Sequence, residues 1–373
     1  MSKRLKLLLL LKITLLIVFG TVLPATATSQ KVKVVLISVA NPSEVFWSEV
    51  HGLATAAAKD LGINFEILYS NRDHLKAVAL AKEVSQRPDK PDYVIVVGEK
   101  LIASASIPIL TASGIKVFMF GSLSSAEKIL IGKPREKYPN YIGKIAIDDY
   151  MAGYLTAEKM VKEALRLKLY DKSGQLNFLA FEGVRRTSFS SERVRGRDDL
   201  IKQYPQVNVL QSVPTQWLYA DATRILPRLL TRYANSTIAG VWCANSALSR
   251  GSAAVLAASG KIPGVDFVTV GTDWDNDSIK SVNSGEVLTI AGGHVATVAW
   301  LMVLIHDYHN GIDFDSSVYL NKVTLMDKVS SGKFLHHFAT KDWDIIDFNR
   351  YSKFENQSLS KYDFSFEAIL SNL

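Results

Sequence analysis

Val32-Lys33-Val34-Val35-Leu36-Ile37-Ser38-Val39, followed by Ala40-Asn41-Pro42-Ser43-Glu44-Val45-Phe46-Trp47, decides the fold. The first eight residues are mostly β-branched or apolar without strict alternation, the pattern of a strand covered on both faces. Asn41-Pro42 stops the run, and residues 46–61 then carry apolar groups at helical spacing. A doubly covered strand that turns directly into a helix is the first half of a βαβ unit, and the pattern recurs. Apolar runs at 65–69, 93–97, 116–120, 176–181, 207–213, 240–243, 267–270 and 288–291 alternate with helix-like stretches at 75–87, 149–165, 190–204, 219–232, 246–259 and 294–308. This predicts an α/β protein built on parallel sheets. The series divides into two similar halves at a break near Asp148, just after a polar segment at 121–141 rich in Ser, Lys and Pro. Two doubly wound domains place a cleft at the carboxyl ends of their strands, so the strand-to-helix loops are where binding groups are expected.

Residues 1–27 precede this pattern and read as an export signal. Lys3, Arg4, Lys6 and Lys12 form a basic start without acids, 7–20 is almost wholly apolar, and Ala25-Thr26-Ala27 offers small residues for cleavage after Ala27. A periplasmic location is expected. Without those residues the formal charge falls from +7 to +3, with 39 basic against 36 acidic groups of interspersed sign. That balance gives no support for nucleic-acid binding, which would need a concentrated basic stripe. Cys243 is the only cysteine, so no intrachain disulfide can form, and its apolar neighbours predict a buried small hydrophobe.

The first loop joins Asn41, a donor and acceptor, to the flat faces of Phe46 and Trp47 at a helix start. A sugar needs that combination, because its hydroxyls seek paired donors and acceptors while its C–H face stacks on an aromatic ring. Taken alone, both rings serve equally well to pack helix on sheet. In this loop the chain resembles the type I periplasmic binding proteins, in particular the ribose and autoinducer-2 receptor branch. Four further segments follow in the family's order: Ser191-Glu192-Arg193-Val194-Arg195-Gly196, similar to its Arg-containing helix start; Val241-Trp242-Cys243-Ala244-Asn245-Ser246, similar to a strand ending in a ligand asparagine; Val270-Gly271-Thr272-Asp273-Trp274, similar to a strand ending in Gly-x-Asp; and Trp217, where another aromatic wall is common. The likeness runs from about residue 32 to about residue 325. Two departures stand out. Phe120-Gly121-Ser122-Leu123 supplies no counterpart to the Asp-Arg pair of ribose binders, and Ala291-Gly292-Gly293-His294 stands where they place a glutamine.

The resemblance implies two lobes joined by three crossovers: 28–147 with 293–327, then 148–292, with Asp148 at the hinge. The tail is longer than ribose binders need, and its apolar residues, among them Trp343, Ile345, Ile346, Phe348, Phe354, Phe364, Phe366 and Leu370, argue that a C-terminal extension at 328–373 docks on the body or on a partner. The resemblance also implies a ligand held by Asn41, Phe46, Trp47, Arg193, Arg195, Trp217, Asn245, Asp273, Trp274 and His294, with either arginine able to enter the cleft and to suit an anionic or diol-rich ligand. A membrane ABC permease, or alternatively a sensor protein, would read the closed form of this monomer. No cofactor, metal or catalytic residue is expected. Asp273-Trp274-Asp275-Asn276-Asp277 opens like a calcium loop, but Ser278 and Ser284 occupy the positions that need glycine and glutamate. Asp148-Asp149 enters a helix, where an aspartate caps. No nucleophile elbow, phosphate loop or zinc-binding helix occurs; an exported carbohydrate-active enzyme is the alternative from another class, and a repressor of similar core would begin with a helix-turn-helix in place of a signal.

Overall fold

The computed structural model describes residues 31–314 and 316–373, so the export-signal reading lies outside the described residues. The opening run forms β1 (Lys33–Ser38), buried along nearly its whole length between parallel neighbours β2 (Asn64–Tyr69) and β3 (Tyr93–Val97). β4 (Lys116–Phe120), β5 (Tyr141–Ile147) and β11 (Val318–Asn321) complete a six-stranded sheet of order β2-β1-β3-β4-β5-β11. Its helices are α1 (Val45–Asp60), α2 (His74–Gln86), α3 (Ile102–Ala112), α4 (Ser125–Ile131) and α10 (Thr297–His309).

The second sheet repeats the order as β7-β6-β8-β9-β10-β12. Its strands are β6 (Leu176–Glu182), β7 (Val207–Pro214), β8 (Ile238–Cys243), β9 (Val268–Thr272), β10 (Thr289–Gly292) and β12 (Thr324–Met326). Around it run α5 (Asp149–Arg166), α6 (Ser188–Ile201), α7 (Tyr219–Arg232), α8 (Ser246–Ala258) and α9 (Asn276–Ser284). All pairings are parallel except β12 with β10. The two-domain α/β expectation therefore holds. One boundary differs: residues 324–326, assigned above to the first lobe, hydrogen-bond to β10 of the second sheet.

Three strands escaped the sequence reading. β5 is broken in the sequence by Gly143 and Lys144; the glycine sits close under two rings, where an added Cβ would lie 3.2 Å from Phe118 and Phe314. β11 and β12 are short strands at the sheet edges. The chain passes between the sheets around Asp148, Gly293 and 322–323. The Asp148 N–H donates to the Asn321 carbonyl at 3.1 Å, linking the first and third passages, while the Asp148 carboxylate caps α5 at the Met151 N–H. Gly293 has φ 104°, a left-handed conformation that favours glycine.

After β12 come α11 (Lys328–Phe338), two short 3-10 turns and α12 (Phe366–Ser371). Trp343 seats on Gly52 of α1, Phe348 and Tyr351 pack edge-on against Trp300 of α10, and Phe366 closes a cluster with Trp274, Phe334 and Phe338. The extension thus touches helices of both sheets. Cys243 is buried beside Ser252, and burial pushes its thiol up to about 12.

Candidate functional site

A cavity of about 350 Å³ lies between the carboxyl ends of the two sheets, where the strand order reverses beside β1 and beside β6. The loop after β1 is an Asn-centred turn. Asn41 Oδ1 accepts from the Ser43 N–H at 2.9 Å, and the Asn41 N–H donates to Glu44 at 3.1 Å. Glu44 in turn holds Arg72, whose Nε lies 3.0 Å from both carboxylate oxygens, and Arg72 reaches Glu99 at 3.5 Å. One guanidinium therefore ties together the loops after β1, β2 and β3. Burial raises the Glu99 carboxyl above its usual range against the opposing charge of Arg72. Beside this polar corner, Trp47 meets Phe120 edge-on at 5.7 Å and Phe46 tilts against His294 at 5.4 Å.

The opposing wall centres on Arg193. Adding a Cβ to Gly153 would bring it within 1.8 Å of the Arg193 carbonyl, and a Cβ on Gly196 would lie 2.0 Å from the Tyr150 carbonyl. These two glycines allow α5 and α6 to meet backbone to backbone, which fixes where the arginine emerges. Its Nε donates to Asp149 at 2.8 Å, and Nη1 donates to the Ala244 carbonyl at 2.7 Å and to Asp273 at 3.1 Å. Asp273 also meets His294 Nε2 at 3.0 Å. Burial alone would raise the Asp273 carboxyl, but Arg193 and His294 outweigh it and hold the group below its usual value. Asp149 is lifted by burial to about 6 against the same two groups. His294 Nδ1 and Asp149 Oδ2 are buried without hydrogen-bond partners among the described residues.

Trp217 completes the wall. Its ring lies so close over Gly183 that a Cβ there would sit 1.9 Å away, and the Arg193 guanidinium is 5.7 Å from the ring centre. Asn245 caps α8 through Oδ1 to the Leu248 N–H and donates Nδ2 to the Trp217 carbonyl at 2.9 Å. Arg72, Trp217 and Asp273 all have positive φ, at 65°, 70° and 84°. Strained non-glycine backbone collected at one cavity is characteristic of a ligand site.

The cavity thus gathers Asn41, Phe46, Trp47, Arg193, Trp217, Asn245, Asp273 and His294. Two expected residues fall elsewhere. Arg195 is exposed, pairs with Glu192 and lies over Tyr150, because two positions along a helix point to different faces. Trp274 turns away under the extension, with Nε1 donating to the Ile290 carbonyl and its ring on Phe366. Among the residues missed are Arg72, Glu99, Phe120, Phe189 and Arg250, which line the cavity too. Arg72 and Glu99 also follow strand ends, so the rule that found Asn41 would have found them. The calcium-like segment has other employment: Asp275 caps α9, and among the described residues no cluster of three His, Cys, Asp or Glu groups is placed to hold a metal.

Comparison with known proteins agrees with the two-domain fold. The periplasmic binding protein domain family matches residues 32–310. The chain is 23% identical over 267 residues to the D-apiose import binding protein of Paraburkholderia graminis, spanning 72% of this chain and 78% of that protein. It is equally 23% identical over 267 residues to the D-allose-binding periplasmic protein of Escherichia coli, spanning 71% and 79%. A periplasmic sugar-binding protein of Pseudomonas fluorescens superposes with a TM-score of 0.81 at 26% identity, covering 91% of this chain and 99% of that one.

Proposed function

The chain belongs to the periplasmic binding protein domain family, and from that membership we propose that it captures a small, uncharged sugar or sugar-like molecule between its lobes and presents the closed form to an ABC importer. The observation that carries this reading is the cavity itself: aromatic rings from both walls and hydrogen-bonding groups of both lobes line one largely apolar space. Asn41, Phe46, Trp47, Trp217, Asn245, Asp273 and His294 serve as the ligand contacts in this reading, joined by Arg72 and Arg193. The relatives described by what they bind are sugar-binding proteins, and one is an import protein, which favours the importer as partner.

The charge pattern narrows the ligand. Arg72 is engaged by Glu44 and Glu99, Arg193 by Asp149 and Asp273, and Arg250 lies 3.8 Å from Asp277. An anionic ligand would have to compete with these carboxylates for every guanidinium. A sugar hydroxyl needs no such exchange, since it can donate to a carboxylate and accept from the paired arginine together.

Contacts now made between the lobes, among them Phe120 with Phe189 and Ser188 Oγ donating to the Ser122 carbonyl at 2.6 Å, form only when the lobes are together. Ligand contacts from both walls add to them, so binding shifts the lobes towards closure about the passages at Asp148, Gly293 and 322–323.

Thermal unfolding of the protein against a sugar panel including D-apiose and D-allose tests the proposal. A ligand at about 100 times its dissociation constant adds about 2.7 kcal/mol of stability. Stabilisation by sugar acids or phosphates with no response to any neutral sugar would overturn the reading.

A further inference from the structure

Beside the ligand cavity runs a second, larger groove of about 1340 Å³ that also spans both lobes. Ile147 lines both spaces, and where Phe120 and Phe189 face the cavity, Ser122 and Ser188 face the groove. We infer that this groove is the docking site for an acidic protein segment of the membrane partner, which engages both lobes at once; the inference rests on the solute-capture reading above.

Its charge is one-sided. Lys100 and Lys128 reach it from the first lobe and Arg185 and Arg186 from the second. None of these four enters an ion pair among the described residues. The acids of the groove are already engaged: Glu192 pairs with Arg195, Asp149 with Arg193, and Asp148 caps α5. The site on the sugar side has the opposite character, with every cation matched to a carboxylate. Uncompensated cations on two facing rims attract and orient an acidic surface.

Three observations favour a protein segment over a small anion. The groove exceeds the roughly 300–1000 Å³ typical of small-ligand pockets. Arg185, Arg186 and Lys128 are exposed and held by no side chain among the described residues, unlike the buried Arg193, which two carboxylates hold. The first-lobe rim also carries an exposed apolar side chain, since Leu101 lines the groove and is 57% exposed. Mixed apolar and charged contact is the composition of a protein interface. Because the cations sit on both lobes, their spacing changes as the cleft opens, and a segment that touches all four detects closure.

The test uses the intact protein and a short fluorescent peptide of alternating Glu and Leu, with its Lys and Leu counterpart as control, followed by anisotropy. The Glu peptide is expected to bind the parent and to weaken with added salt. The triple variant K100E/R185E/R186E is expected to bind it roughly tenfold or more weakly. A reversal of Arg228, Lys280 and Lys333, which lie outside the groove, should leave binding unchanged. Equal binding by parent and triple variant overturns the inference, as does equal loss in the control reversal, which would reveal only a diffuse field. Binding of the parent to phosphatidylglycerol vesicles but not to the peptide also overturns it, assigning the cations to a lipid surface. The sugar panel run on the triple variant separates this outcome from the earlier reading: an unchanged sugar response with lost peptide binding supports both, whereas peptide binding without any sugar response sinks only the solute-capture reading.

Discussion

At the scale of single residues, Arg193 is the group on which the second wall depends. Its guanidinium is enclosed by Asp149, Asp273 and the Ala244 carbonyl, so Arg193→Ala strands two buried carboxylates. Breaking a buried ionic network in this way costs about 3–5 kcal/mol, and urea unfolding of the variant should show a loss of that order. Arg193→Lys should recover little, because an ammonium cannot present the planar fork that reaches three acceptors in different directions. Asn245 is a different case. Its amide already caps α8 and holds the Trp217 carbonyl, so Asn245→Ala should cost about 1 kcal/mol of stability through the cap and weaken sugar binding mainly by loosening Trp217; calorimetry with a sugar from the panel separates these effects. Of the ten candidate residues named from the sequence, eight line the cavity; most of them sit in strand-to-helix loops or the first turns of helices, and the family resemblance singled them out there. It could not choose between Arg193 and Arg195, since the choice depends on the rotation of α6 against α5.

Elements show why that rotation is fixed. Gly153 and Gly196 face the partner helix where no Cβ fits, and the Arg-to-Gly spacing in the sequence is the trace of this close crossing. Gly153→Ala must push the helices apart, an overpacking that costs about 1–3 kcal/mol, and it should displace Arg193 and weaken sugar binding beyond the loss in stability. Circular dichroism melts and calorimetry on the variant check both effects; a variant with parental affinity would show that the crossing does not position the arginine. Most strands were legible because parallel, doubly covered strands are continuous apolar runs. β5, β11 and β12 were not, since Gly143 and Lys144 interrupt one and edge positions relieve the others of the need to be apolar throughout. Trp274 was misplaced for a related reason: whether a ring faces a cleft or a core depends on what covers it, here a tail more than fifty residues further along the chain.

In the whole molecule, the tail and both lobes meet at Glu49. This α1 carboxylate accepts from the Asn276 N–H of α9 at 2.9 Å and from Lys341 of the extension at 3.1 Å, with Asp275 nearby. Burial lifts its pKa from 4.5 to about 7. The folded value exceeds the unfolded one, so the folded protein holds an extra proton between those limits, and the stability gained from it at acid pH is lost as pH rises to about 7. Asp149 acts in the same direction up to about 6, whereas Asp273, held low, contributes stability that is lost on acidification. Glu49→Gln should therefore flatten the decline in thermal stability between pH 5 and 8 by roughly 1–3 kcal/mol, as read by melting temperature across that range. Trp343, seated on Gly52, anchors the same junction from the tail. Removing its ring should reduce the closed population before ligand arrives, and the apparent affinity for every sugar should fall by one common factor, within about tenfold. Pocket variants would instead reorder the sugars. In the solute-capture reading proposed above, the tail would thus act as a gain control separate from tuning: sensitivity could drift with habitat while the preferred ligand stays the same.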